Sequence, residues 1–289
     1  MLKKCPNPDC DYHKRTCAGW YVKIGYYKPK NTQQKTPRYR CKGCGKTFST
    51  HTDKPAAKQK KPDINQLLFE LLVSGVSLRR ASQILNVQYN TVVLHFNYLA
   101  YLIKKRHRAH LKSIQTSYVQ VDELETFLHA KAKALSVPMV VRVKTGEIFG
   151  FAVARMPSKG LLAELGREKY GWTVDERSKK FQSMLVDIKG SLKSGVVFKC
   201  DKNTNYPKWI GNQIVSAVVE QSLSIKGKGK KKDGDKEYDE LFAINNTFAR
   251  MRHDMNRLAR KTWSTTKAIH GLENHIWLYV AWNNKYSVK

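Results

Sequence analysis

The chain has 289 residues, enough for about two domains with a real core, and its 41% apolar content excludes wholesale disorder. No apolar run approaches the ~20 residues that span a bilayer, so an integral membrane protein is excluded as an expectation. Lys and Arg number 53 against 23 Asp and Glu, a formal net charge of +30, which points to a polyanionic partner bound largely through counterion release. The opening MLKKCPNPDC lacks the apolar segment of an export signal, so a cytoplasmic, nucleoid-associated protein is expected. In that reducing compartment the six cysteines should be thiols or metal ligands rather than disulfides.

Residues 1–50 read as a zinc ribbon. Cys5 and Cys10 make one knuckle and Cys41 and Cys44 a second, within RCKGCGKTF, where Gly43 and Gly45 permit a tight turn. Four thiolates from two knuckles form the closed tetrahedral set of a structural zinc site. Cys17 and His13 are alternative ligands. Fifty largely polar residues cannot build a core without such a staple.

Residues 51–62 form a polar linker. Beyond it, residues 63–112 read as a helix-turn-helix domain. A first helix from Asp63 to about Gly75 carries Ile64, Leu67, Leu68, Leu71 and Leu72 on one face. A short helix from Ser77 to Leu85, a turn at Asn86-Val87 and a second helix from about Tyr89 to Tyr98 complete the motif. Tyr89, Asn90, Thr91 and His95 are the candidate base or phosphate contacts, with Arg79 and Arg80 on the backbone. The alternative is a helical connector that touches no DNA. The basic run from Lys104 to Lys112 is either a solvated face or a helix end lying along phosphates.

Residues 113–289 read as an α/β domain. Ser117 to Phe127 (SYVQVDELETF) alternates like a half-buried strand and sets Asp122, Glu123 and Glu125 at its end. Either these acids serve a metal ion or they pair with surface lysines. Two strand-like runs flank Lys144-Thr145-Gly146-Glu147 as a hairpin. Helices over Lys159 to Lys169 and Val174 to Lys189 precede a buried strand, Val196 to Cys200, which ends at Asp201. Three antiparallel strands, helices and a further strand are the order of a ribonuclease-H-like fold, which places the first and fourth strands side by side and brings Asp122 to Asp201. Residues 226–236 read as a mobile basic loop. A last long helix from about Asp239 to Thr262 buries Leu241, Ile244, Phe248, Met251, Met255 and Leu258. Asn245 and Arg252 flank that stripe, and Arg250, His253, Arg257 and Arg260 lie opposite it.

The succession of ribbon, helix-turn-helix, Val121-Asp122-Glu123 strand, Asp201 followed by Tyr206, and the segment from Arg250 to Lys267 (RMRHDMNRLARKTWSTTK) resembles bacterial insertion-sequence transposases of the IS-one-like type, over nearly the whole chain. The resemblance implies a DDE-type active site in which Asp122 and Asp201 hold Mg²⁺ or Mn²⁺ for two-metal phosphoryl transfer on DNA. It places the third ligand at Asn245, where the family pattern has an acid; Glu240, Asp239, Asp254 and Glu273 are substitutes. It further implies double-stranded transposon-end and target DNA as partners and a homodimer or larger synaptic assembly; the basic back of the last helix, with Arg250, Arg257, Arg260 and the neighbouring Lys261, is either solvated or meets that DNA. Glu123 should support the site rather than ligate, because adjacent strand residues point to opposite faces. The competing functions are a catalytically inactive relative that represses transcription at the repeats, and a structure-specific nuclease on the same fold.

Overall fold

A computed structural model describes residues 4–15, 17–28, 35–50, 52, 59–222 and 239–287. The basic run 226–236 and most of the linker 51–62 lie outside the described residues. The chain divides into two compact units, residues 1–65 and 66–289.

In the first unit a single helical turn, α1 (Asp11–Lys14), precedes three antiparallel strands in the order β1 (Tyr21–Tyr27), β2 (Thr36–Cys41) and β3 (Thr47–Ser49). Its core is Trp20, Tyr39 and Phe48 packed on the cysteines, with Trp20 and Phe48 stacked at 4.8 Å. So few apolar side chains bury too little area to hold fifty residues without a cross-link.

The second unit begins within α2 (Ile64–Val73) and continues with α3 (Leu78–Ile84) and α4 (Tyr89–Leu111). Gly75 (φ +79°) ends the α2 segment and Asn86 (φ +47°) makes the turn between α3 and α4. Ser77 caps α3, its hydroxyl accepting from the Arg80 N–H at 3.2 Å. Two expectations shift here. Leu67 is exposed, because α2 buries Leu68, Phe69, Leu72 and Val73 instead. The helix expected to stop near Tyr98 runs on to Leu111, because Leu99, Ile103, His107 and Leu111 continue its buried stripe. The Lys104 to Lys112 run is therefore the last turns of α4. His107 there is buried, bonded through Nδ1 to the Tyr286 hydroxyl and through Nε2 to the Phe149 carbonyl.

The strands β4 (Thr116–Phe127), β5 (Ala134–Arg142), β6 (Ile148–Phe151) and β7 (Ala154–Arg155) follow, then the helices α5 (Leu161–Tyr170) and α6 (Arg177–Ile188). Next come β8 (Leu192–Cys200), α7 (Asn205–Gly211), β9 (Val218–Gln221), α8 (Phe242–Asp254) and α9 (Ile269–Asn283). The sheet order is β6-β5-β4-β8-β9, with β7 on β5; β4, β5 and β6 are antiparallel, while β4, β8 and β9 run parallel. Gly146 (φ +67°) closes the β5–β6 hairpin where the sequence placed it. One sheet face packs Leu124, Leu135, Val137 and Met139 against α8 and α9. The other packs Val119, Val121, Val196 and Phe198 against α6 and α7.

The helical segment does not stand apart as its own domain. Leu68, Val92, Phe96 and Leu99 share a core with Leu278 and Ala281 of α9. The long last helix is also shorter than expected. Its apolar stripe from Leu241 to Leu258 is buried throughout, but the helix stops at Asp254, Met255 is extended, and Asn256–Leu258 form a 3-10 turn. The Asn256 side chain donates to the Gly75 carbonyl, so a tertiary tie to the α2–α3 turn accompanies the break.

Candidate functional site

The four cysteines of the first unit converge. The ligand atoms of Cys5, Cys10, Cys41 and Cys44 all lie within 4.8 Å of one another, with Cys5–Cys44 at 3.6 Å and Cys10–Cys41 at 3.7 Å between sulfurs. A tetrahedron with metal–sulfur bonds of about 2.3 Å has edges of about 3.8 Å, so the set can hold a metal such as zinc. The knuckle backbone works against burial, which pushes the Cys5 thiol up to about 12: the Asn7 N–H donates to the Cys5 sulfur at 3.4 Å, and the Lys46 N–H lowers the Cys44 thiol to about 6. Gly45 sits at φ +72°, and a Cβ on Gly43 would meet the Tyr12 ring at 2.9 Å, so both glycines are required by the turn. His13 Nδ1 bonds the Cys5 carbonyl at 2.6 Å and Cys17 is exposed, so neither joins the set.

In the second unit the parallel pairing of β4 with β8 matches Val121 to Cys200, so Asp122 and Asp201 occupy the next position on each of two neighbouring strands. The buried Cys200 thiol is pushed up to about 12, mainly by burial and further by the Asp201 and Asp122 carboxylates. Both also act on Tyr206 of α7, whose phenol is pushed up mainly by burial and further by Glu123, Asp122 and Asp201. A neutral phenol thus underlies a cluster of negative charge. The Asp122 carboxylate accepts from the Glu123 N–H at 2.7 Å, and the Asp201 carboxylate accepts from the Asn203 N–H at 3.1 Å.

Alternation along β4 separates its acids. Gln120, Asp122 and Leu124 share the face covered by α8, and Glu123 takes the other. There Glu123 accepts from the Ser136 hydroxyl at 2.8 Å and lies 3.7 Å from Arg177; burial raises it above the usual carboxylate range.

Gln120 positions α8. Buried to 3% exposure, its amide donates to the Glu240 carbonyl at 2.7 Å and its oxygen accepts from the Ile244 N–H at 3.0 Å. The next residue, Asn245, donates its amide nitrogen to the Asp239 carboxylate at 3.0 and 3.3 Å. The reverse amide orientation would set an acceptor against a carboxylate, so the Asn245 oxygen is the atom left available. Arg252, two turns on along the same stripe, interacts electrostatically with Asp122 and Glu125. The stripe bearing Asn245 therefore faces the strand-end acids. A cleft of about 310 Å³ beside them is lined by Glu125, Lys131, Lys159, Arg252 and Arg260.

The other acids are engaged elsewhere. Glu240 pairs with Lys199 at 3.0 Å, Asp254 sits beside His253 at the far end of α8, and Glu273 is on α9. Among the described residues, the cysteine set is the one group of three or more His, Cys, Asp or Glu side chains gathered as for a metal. Asp122 and Asp201 come together as a pair of acids at the ends of β4 and β8.

The residues expected to contact DNA from the α3–α4 corner divide. Arg79, Arg80, Tyr89 and Asn90 are exposed at the α3–α4 corner, with Thr91 half-buried behind them and the Arg79 guanidinium 6.0 Å from the Tyr89 ring. His95 is buried at 3% exposure, so it belongs to the packing of α4 and does not reach a groove. Arg250, Arg260 and Lys261 are exposed. Arg257 is not on an open basic back: beyond the break at Met255 it turns into a pocket beside Tyr89 and His275.

Gln120, Arg252 and Lys159 were not singled out from sequence as site residues. Gln120 carried no signal: it falls at a polar position of the strand's alternation, and it is buried because helices cover both faces of the sheet. Lys159 meets Glu125 at 2.5 Å across 34 residues, and no local pattern announces that. Comparison with protein-family models and with curated proteins finds no match. Among the described residues no helix is long and apolar enough to cross a membrane.

Proposed function

We propose that this protein is a DNA transposase of the insertion-sequence type, with a zinc ribbon, a helix-turn-helix and a ribonuclease-H-like catalytic core. The observation that carries the reading is the β4–β8 pairing, which brings Asp122 and Asp201 together from 79 residues apart in sequence. The sheet order, antiparallel for its first three strands and parallel for the next two, agrees with that core. The +30 net charge and the exposed Arg79, Arg80, Tyr89 and Asn90 support DNA as the partner.

The donor set fits a hard divalent cation: Asp122, Asp201 and the Asn245 side-chain oxygen would hold Mg²⁺ or Mn²⁺. Such ions supply Lewis acidity to phosphoryl oxygens and lower the pKa of a bound nucleophile. The protein's own part is positional. Asp239 holds the Asn245 amide by its nitrogen, and Gln120 fixes the start of α8 against β4. Lys131, Lys159 and Arg260 line the adjacent cleft with positive charge for a phosphodiester backbone. Arg252 offsets the charge of Asp122. Glu123, turned to the other face, buttresses the strand end through Ser136 and Arg177. Two DNA ends must be joined, so the working form is a dimer or larger assembly.

Asn245 in place of an acid favours one second reading, a DNA-binding repressor without chemistry. The test is cleavage and joining of labelled DNA carrying the ends of the element that encodes the protein, with Mg²⁺ or Mn²⁺. Wild type is compared with Asp122→Ala and Asn245→Ala. Loss in both variants supports an Asp-Asp-Asn site, and loss in Asp122→Ala alone moves the third ligand to Asp239. Specific binding of the ends without metal-dependent chemistry refutes the enzyme and leaves the repressor.

A further inference from the structure

A second cavity, of about 410 Å³, lies where α3, α4 and the segment preceding α9 meet. Arg79, Arg257 and Lys267 line it with His270 and His275, and no Asp or Glu does. Arg257 has no hydrogen-bond or ion-pair partner among the described residues, and its Nη1 lies 3.8 Å from where a Cβ on Gly271 would be, over the first turn of α9. That end of α9 has no side-chain cap, and its partial positive charge adds to that of the guanidinium. His275 is buried at 6% exposure; its Nε2 bonds the Leu72 carbonyl at 2.7 Å, which leaves Nδ1 as an acceptor with no partner. Desolvation lowers Arg257 to about 10; desolvation and then the Arg257 charge lower His275 to about 3, so a neutral imidazole sits beside the guanidinium.

An unpaired guanidinium at a helix N-terminus, with a lysine on the same cavity wall, concentrates positive charge that an anion seated between them would offset. We propose that this cavity is a phosphate-binding site, with Arg257 and Lys267 as its cationic contacts, the first turn of α9 as its backbone cradle and His275 Nδ1 accepting from a P–OH when the phosphate carries one. The phosphate comes either from a free phosphate ion or from the backbone of DNA held at the neighbouring α4 N-terminus. The site does not depend on the catalytic reading, because it shares no residue with Asp122, Asp201 or Asn245.

The test is calorimetric titration of the full chain with inorganic phosphate in metal-free buffer, at ionic strength matched with chloride. Wild type should bind one phosphate saturably per chain. Arg257→Gln should weaken that by at least tenfold and Lys267→Gln by several-fold, while the exposed Lys193→Gln should leave it unchanged. Removing an unpaired, desolvated charge should also raise the melting temperature of Arg257→Gln in phosphate-free buffer, whereas a purely structural arginine would lower it. No saturable phosphate binding, or binding indifferent to Arg257→Gln, overturns the site, and neither result touches the cleavage assay. Given a positive result, a random-sequence duplex assigns the source. Competition by phosphate together with weaker duplex binding in Arg257→Gln places a backbone phosphate in the pocket. Duplex binding insensitive to both leaves free phosphate as the occupant.

Discussion

Replacing Gln120 with Leu tests how the start of α8 is held. The side chain is buried, donates to the Glu240 carbonyl and accepts from the Ile244 N–H. Leucine keeps most of the volume and removes both bonds, so the buried Ile244 N–H and the part-buried Glu240 carbonyl lose their partner. Each such orphaned group costs about 1–3 kcal/mol, so the variant should lose about 2–6 kcal/mol of unfolding free energy. For a unit of this size that corresponds to a melting temperature lower by roughly 4–24 °C. Gln120→Glu sharpens the test, because a carboxylate can accept from Ile244 but opposes the Glu240 carbonyl. As a carboxylic acid it donates there, so its folded pKa is raised and the native state binds the extra proton. The cost of Gln120→Glu should therefore be smallest below about pH 4, grow as pH rises through the ordinary carboxylate value, and be complete above the raised one. Urea denaturation at several pH values measures both variants. A loss under about 0.5 kcal/mol for Gln120→Leu, the range of an ordinary surface change, would refute the reasoning.

Other expectations follow from the two sites. The wild-type chain should carry one zinc per molecule by elemental analysis, and Cys44→Ser should lose it. Proteolysis should then attack residues 1–65 while residues 66–289 stay resistant, since structural zinc contributes about 10–16 kcal/mol to such modules; a resistant metal-free ribbon contradicts this. Glu123 is raised by burial, so wild-type stability should fall as pH rises from its ordinary 4.5 through its raised folded value. Glu123→Gln should remove that slope and match wild type at low pH, as a pH series of melting curves would reveal. Under the proposed transposase function, Asn90→Ala or Arg79→Ala should weaken binding to the element's ends by about 1–3 kcal/mol per base contact, or reduce the salt slope by about one for a phosphate contact. Binding unchanged at every salt concentration would remove the α3–α4 corner from the interface.

Much was legible in the sequence because it was local. The cysteine knuckles, the Gly146 hairpin, the α3–α4 turn and the two strand-end aspartates each rest on a few consecutive residues whose chemistry allows little else. The apolar stripe from Leu241 to Leu258 was legible too, and all six of its residues are buried. What periodicity could not supply was where that helix stops, because the break at Met255 accompanies a bond from Asn256 to Gly75, 181 residues away in sequence. The same break turns Arg257 from an expected basic back into a pocket. His95 was misplaced for a similar reason: helical position makes a residue available to one side, and only the packing of α4 against its neighbours decides whether that side is solvent or core. Side-chain chemistry is written residue by residue, whereas partners such as Asp239 for Asn245 or Glu240 for Gln120 exist only once the sheet has paired and α8 has docked on it.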